Sequence, residues 1–411
     1  MTPYRFRVLS TAALFALLAF AVLAFGAVDT WALTILAVGS FALAAAWAVR
    51  LALHPAPVVW NPFLLPLAIP ALWTAAQQAL GWSVFPYRTS AEALKWLALW
   101  LLFAVAVQVF ADTSMRRGFG LALVWFGFAL STFALIQNFT SRGMIYWLVP
   151  VVAGKIFGPF VNANHFGSLM ELIVPSALLL ALRPSRQQLI YGAVAAMLVA
   201  SVVLSGSRAA TVLVAIQILV VLGSKTFAPA RSSAGPHRRR LWPVAAALAA
   251  VAGIALFVVT SRSLLDRFEE EQPYQVRWTL VQSTWRLFLS RPWVGFGGGT
   301  FEQVYPSAAP FDLGVVWTHA HNDPVQFAME WGVAGPAMLA SILWLLLRRR
   351  WPLDLWLRVV LPVLTVLAHS WVDFPLQIPA VAAAWLLTLA LLHPGGRAAT
   401  RAAEPTLENP L

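Results

Sequence analysis

In RFRVLSTAALFALLAFAVLAF, residues 5–25, two arginines precede an uncharged, mostly apolar run from Val8 to Phe25. A secretory leader and a membrane helix share that layout. A second apolar stretch follows almost at once, at about residues 31–49. The first run is therefore read as an uncleaved membrane helix, and the pattern it starts continues through the chain. Of 411 residues, 60% are apolar and only 11% charged, and the mean hydropathy is +0.75. A soluble domain carries about 25% charged residues, so this chain has too few to coat a water-facing surface. Disordered chains are more polar still. The composition leaves an all-α polytopic membrane protein, each span needing about 20 apolar residues.

Apolar runs place about twelve helices, near 8–26, 31–49, 62–80, 92–111, 119–138, 163–182, 187–205, 209–223, 242–260, 321–347, 354–371 and 376–393. This divides the chain into helices 1–9 over residues 1–260, a long loop with short amphipathic helices over 261–320, helices 10–12 over 321–393, and a disordered tail over 394–411. Pro66, Pro70, Pro175 and Pro362 fall inside spans, where neighbouring helices can satisfy the freed backbone groups.

The net charge of +12 is not read as a nucleic-acid footprint, because excess Lys and Arg in a membrane protein marks cytoplasmic loops. With the N-terminus inside, 18 of the 28 basic residues are cytoplasmic, including the Lys225–Arg240 stretch. Five of the other ten sit in the long loop, which the positive-inside rule does not count. Both termini are thus expected in the cytoplasm. The absence of cysteine excludes disulfides, thiolate metal sites and a Cys nucleophile.

With that topology the polar segments converge on the outer face: Gly81–Ser90, GPFVNANH (158–165, with Asn164), SGSR (205–208), the 261–320 loop, HAHND (319–323, with Asn322) and HSWVDF (369–374, with Asp373). Ionisable groups near a bilayer are costly and mark function, so one outward-facing pocket is expected. Glu171, Glu330 and His369 lie deeper. Arg208 follows a turn set by Gly206, and its guanidinium matches phosphate oxygens with two donors; an arginine snorkelling to the headgroups is the plain alternative. Arg277 lies on a short amphipathic helix whose apolar face is Val276, Leu280 and Trp285, with Val281 and Phe288; a solvated surface charge is its plain alternative.

His319, His321 and Asp323 have i, i+2, i+4 spacing with no acidic cluster to complete a metal shell. A histidine in a polar pocket suits proton transfer, or it caps the helix that starts near Asn322. The GFGGG run at Gly295–Gly299 lacks the Lys-Ser/Thr of a phosphate loop and reads as a flexible turn that lets the long loop close.

His321-Asn322, nine residues, then Gly332-Val333-Ala334-Gly335 resembles the H-[NSQ]-x9-G-x-x-G signature of the O-antigen ligases. The flanking pieces agree in order: GPFVNANHFG, SGSRAA, the helix bearing Arg277, PWVGFGGGTF, HAHNDPVQFAMEWGVAG and HSWVDFPLQIPA. The resemblance spans about residues 80–390 and points to the ligase and polymerase superfamily rather than to one member. Pro336 stands where ligases usually carry a small polar residue. The resemblance implies a GT-C-like, inverting, metal-independent glycosyltransferase without cofactor. It would take a glycan from an undecaprenyl-pyrophosphate donor and pass it to a hydroxyl on lipid A core, a growing glycan or a protein, at the periplasmic face of the bacterial inner membrane. By motif, His321 corresponds to the essential histidine, a candidate general base, and Arg208 and Arg277 to the arginines that engage pyrophosphate. His319, Asn322, Asn164 and Asp373 are the further substrate-binding candidates; Trp82, Tyr87, Tyr274 and Tyr305 are candidates to stack on sugars, with the aromatic belt at the membrane interface as the plainer reading for most of them. A flippase of lipid-linked glycans is the non-enzymatic alternative, but it needs polar residues in both membrane halves. A protein O-oligosaccharyltransferase is the alternative within the enzyme class.

Overall fold

The computed structural model describes residues 2–151, 155–226, 272–310 and 316–392. The expected helix at 242–260, most of the basic stretch after Lys225 and the tail from 394 lie outside the described residues. The regular structure of the described residues is helical, apart from a small hairpin of β1 (Met144–Ile145) and β2 (Val149–Pro150). Eight helices match the first eight expected spans: α1 (Pro3–Leu23), α2 (Thr30–Leu53), α3 (Leu64–Ala79), α4 (Pro86–Val109), α5 (Thr113–Thr140), α6 (Ala163–Ala181), α7 (Gln188–Ser205) and α8 (Arg208–Thr226). After them come α9 (Gln272–Ser290), α10 (Asp323–Trp331), α11 (Ala334–Leu347), α12 (Leu361–His369) and α13 (Pro379–Ala390). Among the described residues, six helices are long and apolar enough to cross a membrane. The molecule is an all-α, multi-pass membrane protein.

Burial sorts the helices into layers. Helix α13 is buried along its whole length and α6 along nearly all of it. Helix α2 buries little beyond Ala32, Leu36 and Ser40 and is left for lipid. The central α6 is not purely apolar. His165, Ser168 and Glu171 recur at i, i+3 and i+6, and all three are buried. That spacing stacks them on one helix face. The facing element, α12, supplies Thr365 and His369, also buried. The bundle therefore has an apolar outside and a polar seam inside, as expected where lipid is the solvent.

The expected single helix over 321–347 is two. Gly332 breaks it, with φ 60° and ψ −144°. A Cβ there would lie 2.5 Å from the carbonyl oxygen of Trp293, and Val333 N donates to Pro292 O at 2.8 Å. Gly332 admits the 292–293 loop, and Gly335 admits the backbone of Phe327 from α10. A glycine at positive φ with no room for a side chain tolerates substitution poorly. Gly332→Ala should therefore destabilise the fold by about 1–3 kcal/mol, read as a lower unfolding midpoint in detergent. An unchanged midpoint would show that the 292–293 loop can move away.

Helix α9 carries Arg277 as expected, and Leu280 and Leu287 are buried on its inner face with Val276 and Phe288 packed beside them. Trp285 does not join that face; it is 46% exposed. The GFGGG turn is not open either. Gly297 N donates to Glu330 O (3.0 Å), Gly298 N to Gln77 Oε1 (3.1 Å) and Gly299 N to Glu330 Oε2 (3.0 Å). With these amides engaged by α3 and α10, the run clamps the loop in place and cannot cradle a phosphate.

Candidate active site

A cavity of about 890 Å³ opens at the end of the bundle where α6 and α8 begin and α12 ends. Five segments distant in sequence line it. They bring Asn162 and Asn164, Gly206 and Arg208, Arg277, Trp317 with His321, and His369 with Val372 to one wall, and Lys155 joins them. Three of the expected residues, His321, Arg208 and Arg277, thus meet at a single site, together with Asn164.

Local structure explains each placement. The Asn162 side chain accepts from Asn164 N (2.9 Å) and caps α6, which is the preferred use of Asn at that position. The Asn164 Nδ2 is then free to donate to Asp373 Oδ2. Gly206, at φ 70°, ends α7 in the left-handed region, so the chain reverses and Arg208 starts α8. Arg277 Nη1 donates to Val372 O at 3.4 Å, which ties α9 to the loop after α12.

That loop is fastened to the HAHND segment on both sides. Asn322 caps α10 by accepting from Val325 N (3.0 Å) and donates through Nδ2 to Trp371 O (2.7 Å). Asp323 N donates to Ser370 O (2.8 Å), and Asp323 Oδ2 accepts from Leu376 N (2.9 Å). The clasp sets His321 against Asp373, with Nδ1 3.2 Å from Oδ1. The His321 side chain is 16% exposed and that of Asp373 only 1%. His321 sits at φ 52°, a conformation uncommon for a residue other than glycine and held here by its surroundings. Burial pushes the Asp373 carboxyl up, but the His321 hydrogen bond and the pull of His165, His321 and Arg277 outweigh it. They hold the group well below the usual carboxylate range. An ionised Asp373 accepts the Nδ1 proton and leaves Nε2 as the basic nitrogen.

Two of the expected substrate contacts are turned elsewhere. Asn322 uses both ends of its amide in the clasp. His319 faces away from the cavity: its ring stacks on Phe374 (4.3 Å between centroids) and its Nδ1 is 3.2 Å from Gln326 Nε2. The His321 ring also packs on Phe374, edge-on at 4.8 Å between centroids, but it lines the cavity and His319 does not. Of the aromatics expected to stack on sugars, Tyr305 is buried against Phe301, Trp82 pairs with Trp73, Tyr87 is exposed away from the cavity and the Tyr274 side chain lies outside the described residues. Trp317 and Lys155, which the motif reading passed over, do line the cavity. Their signal was position: Trp317 is four residues before His321, and Lys155 is three before GPFVNANH.

Burial, with the charges of Lys95, His165 and His321, pushes His319 down to about 3. The unfolded chain takes up that proton near 6.5, so neutral His319 contributes its full stability above that pH and loses it as pH falls toward 3. The unfolding midpoint in detergent should fall across that window, and the fall should be shallower in His319→Phe, which keeps the stacked ring. Identical acid profiles for parent and variant would remove His319 as the cause.

Where His369 meets the cavity lining, its Nδ1 is 2.7 Å from Glu171 Oε1, with both side chains fully buried. Ser168 Oγ lies 3.0 Å from the same nitrogen. Gln217 Nε2 donates to Glu171 O (2.9 Å) and to Thr365 Oγ1 (2.7 Å). The deep ionisable residues on α6 and α12 are thus paired with one another, which is how such groups persist at membrane depth.

Fold and site together define a multi-pass membrane protein that holds a cationic, histidine-bearing cavity at one end of an apolar bundle. The family model described as O-antigen ligase matches residues 193–340, so that segment of the chain is similar to the O-antigen ligases. Arg208, Arg277 and His321 lie inside the matched segment, whereas Asn164, Glu171 and Asp373 lie outside it. No curated protein matches the chain in sequence.

Proposed function

We propose that the chain moves a glycan from an undecaprenyl-pyrophosphate donor to an acceptor hydroxyl at the periplasmic face of the bacterial inner membrane, with both termini cytoplasmic. The observation that supports this most is the meeting of His321, backed by Asp373, with Arg208 and Arg277 in one cavity. In this reading His321 Nε2 takes the acceptor's hydroxyl proton. The hydroxyl oxygen bonds to the anomeric carbon from the face opposite the leaving group. The bond from that carbon to the phosphate oxygen breaks, and the pyrophosphate leaves with the electron pair. Arg208 and Arg277 carry the negative charge that grows on it, and they act most strongly where water is excluded. A diphosphate is already a good leaving group, so the step runs without a metal. The apolar side chains beside the arginines, Val212 and Leu213 on α8, suit a donor whose tail stays in the bilayer. Ligase and polymerase differ only in the acceptor.

The test is transfer of a labelled glycan from a polyprenyl pyrophosphate by the purified, reconstituted protein, with and without EDTA. Transfer at equal rates supports the reading. Loss in EDTA with recovery on adding a divalent ion would sink the metal-free step. Single cysteines introduced into this cysteine-free chain at Thr318 and Arg348 should label from outside and inside respectively, and the reverse pattern would invert the topology.

Asp373→Asn tests the dyad. An amide that presents its donor to His321 favours the wrong tautomer and also withdraws the acceptor from Phe374 N, because Asp373 Oδ1 serves both contacts, so transfer should fall about 10²-fold or more. Full transfer in this variant would leave His321 to act without Asp373.

A further inference from the structure

His321 is held through its ring by the buried Asp373. We infer that Gln326 holds it from behind and is a positioning residue for glycan transfer; the inference rests on His321 being the base. Gln326 is 1% exposed, on the buried face of α10. Its Oε1 accepts from Ala320 N at 2.9 Å, the amide immediately before His321. Its Nε2 lies 3.2 Å from His319 Nδ1 and donates to Glu330 Oε1 at 2.9 Å. One amide side chain thus grips both residues that precede His321. Glu330 is fully buried and carries the grip further, since its Oε2 accepts from Gly299 N and its main-chain oxygen from Gln77 Nε2 (2.8 Å). The anchor therefore runs from the histidine segment through α10 to the glycine loop and α3. His321 needs such an anchor because its φ of 52° is unfavourable for a side chain with a Cβ and persists only when neighbours fix it. A general base displaced by about 1 Å can lose 10²-fold in rate.

The role is tested by coupling to His321 in the full-length reconstituted protein. Gln326→Leu removes the acceptor for Ala320 N and both donors at similar size. Transfer kcat should fall about 10²-fold, with the KM for the polyprenyl-pyrophosphate glycan unchanged. In a His321→Ala background, where no base remains to be misplaced, the same substitution should change the residual rate by less than about twofold. Gln326→Glu keeps an acceptor for Ala320 N and stands in for the same comparison if Gln326→Leu does not insert. A loss that multiplies undiminished on top of His321→Ala would make Gln326 a general structural residue and overturn the inference. Full kcat in Gln326→Leu would overturn it too. Full transfer by His321→Ala alone would remove the base and with it this inference while leaving glycan transfer standing, whereas no transfer by the parent protein would remove the function proposed above, so the two failures are distinguishable.

Discussion

Replacing His321 with alanine is expected to lower glycan transfer by about 10²–10⁴-fold, the usual contribution of a placed general base. The protein should still insert and still bind the lipid donor. Asp373, the partner left behind, keeps the bonds from Asn164 Nδ2 and Phe374 N, so the loop after α12 stays satisfied. The clasp through Asn322 and Asp323 does not involve the imidazole. Removing the ring therefore takes away a proton acceptor and little structure. Donor binding measured separately from transfer makes the distinction. A variant that no longer binds donor would point to a phosphate contact, and one that transfers normally would end the assignment of His321 as base.

Arg208→Lys and Arg277→Lys should each cost about 10²–10³ in rate, or about 2.7–4 kcal/mol of transition-state stabilisation. Charge is retained in both, so a purely electrostatic anchor would survive the change. A planar fork that meets two phosphate oxygens at once would not. Arg277→Lys carries an additional cost, because Nη1 also reaches Val372 O and fixes α9 beside the Asp373 loop. Kinetics on the reconstituted protein decide the matter, and full rates in both lysine variants would reduce the two arginines to membrane-surface anchors.

The helices were legible because lipid imposes a simple rule on sequence: long apolar runs with charged ends. The first eight spans follow from it with shifts of a few residues at their ends. The meeting of Arg208, Arg277 and His321 was legible from ordered motifs, not from hydropathy. What could not be read was conformation within an apolar run. Gly332 looks the same in sequence whether the helix passes through it or breaks, and only the Trp293 carbonyl packed against it decides. The same holds for His319. Two histidines two residues apart share a face in a strand, but here both rings pack on Phe374 and His321, not His319, lines the cavity. The pairing of Glu171 with His369 was hidden for another reason, since nothing local in either helix names a partner 198 residues away.

That separation bears on how the chain is made. At about 5–20 residues per second, His369 emerges roughly 10–40 s after Glu171. During that interval α6 is in the membrane with a carboxyl that has no counter-ion from α12, and Asn164 waits as long for Asp373. The early helices are thus a committed but unfinished assembly until α12 and α13 arrive. A nascent chain that stops before α12 presents the membrane's proteases with an uncompensated polar seam, so protease resistance should appear only once α12 and the loop after it have been made.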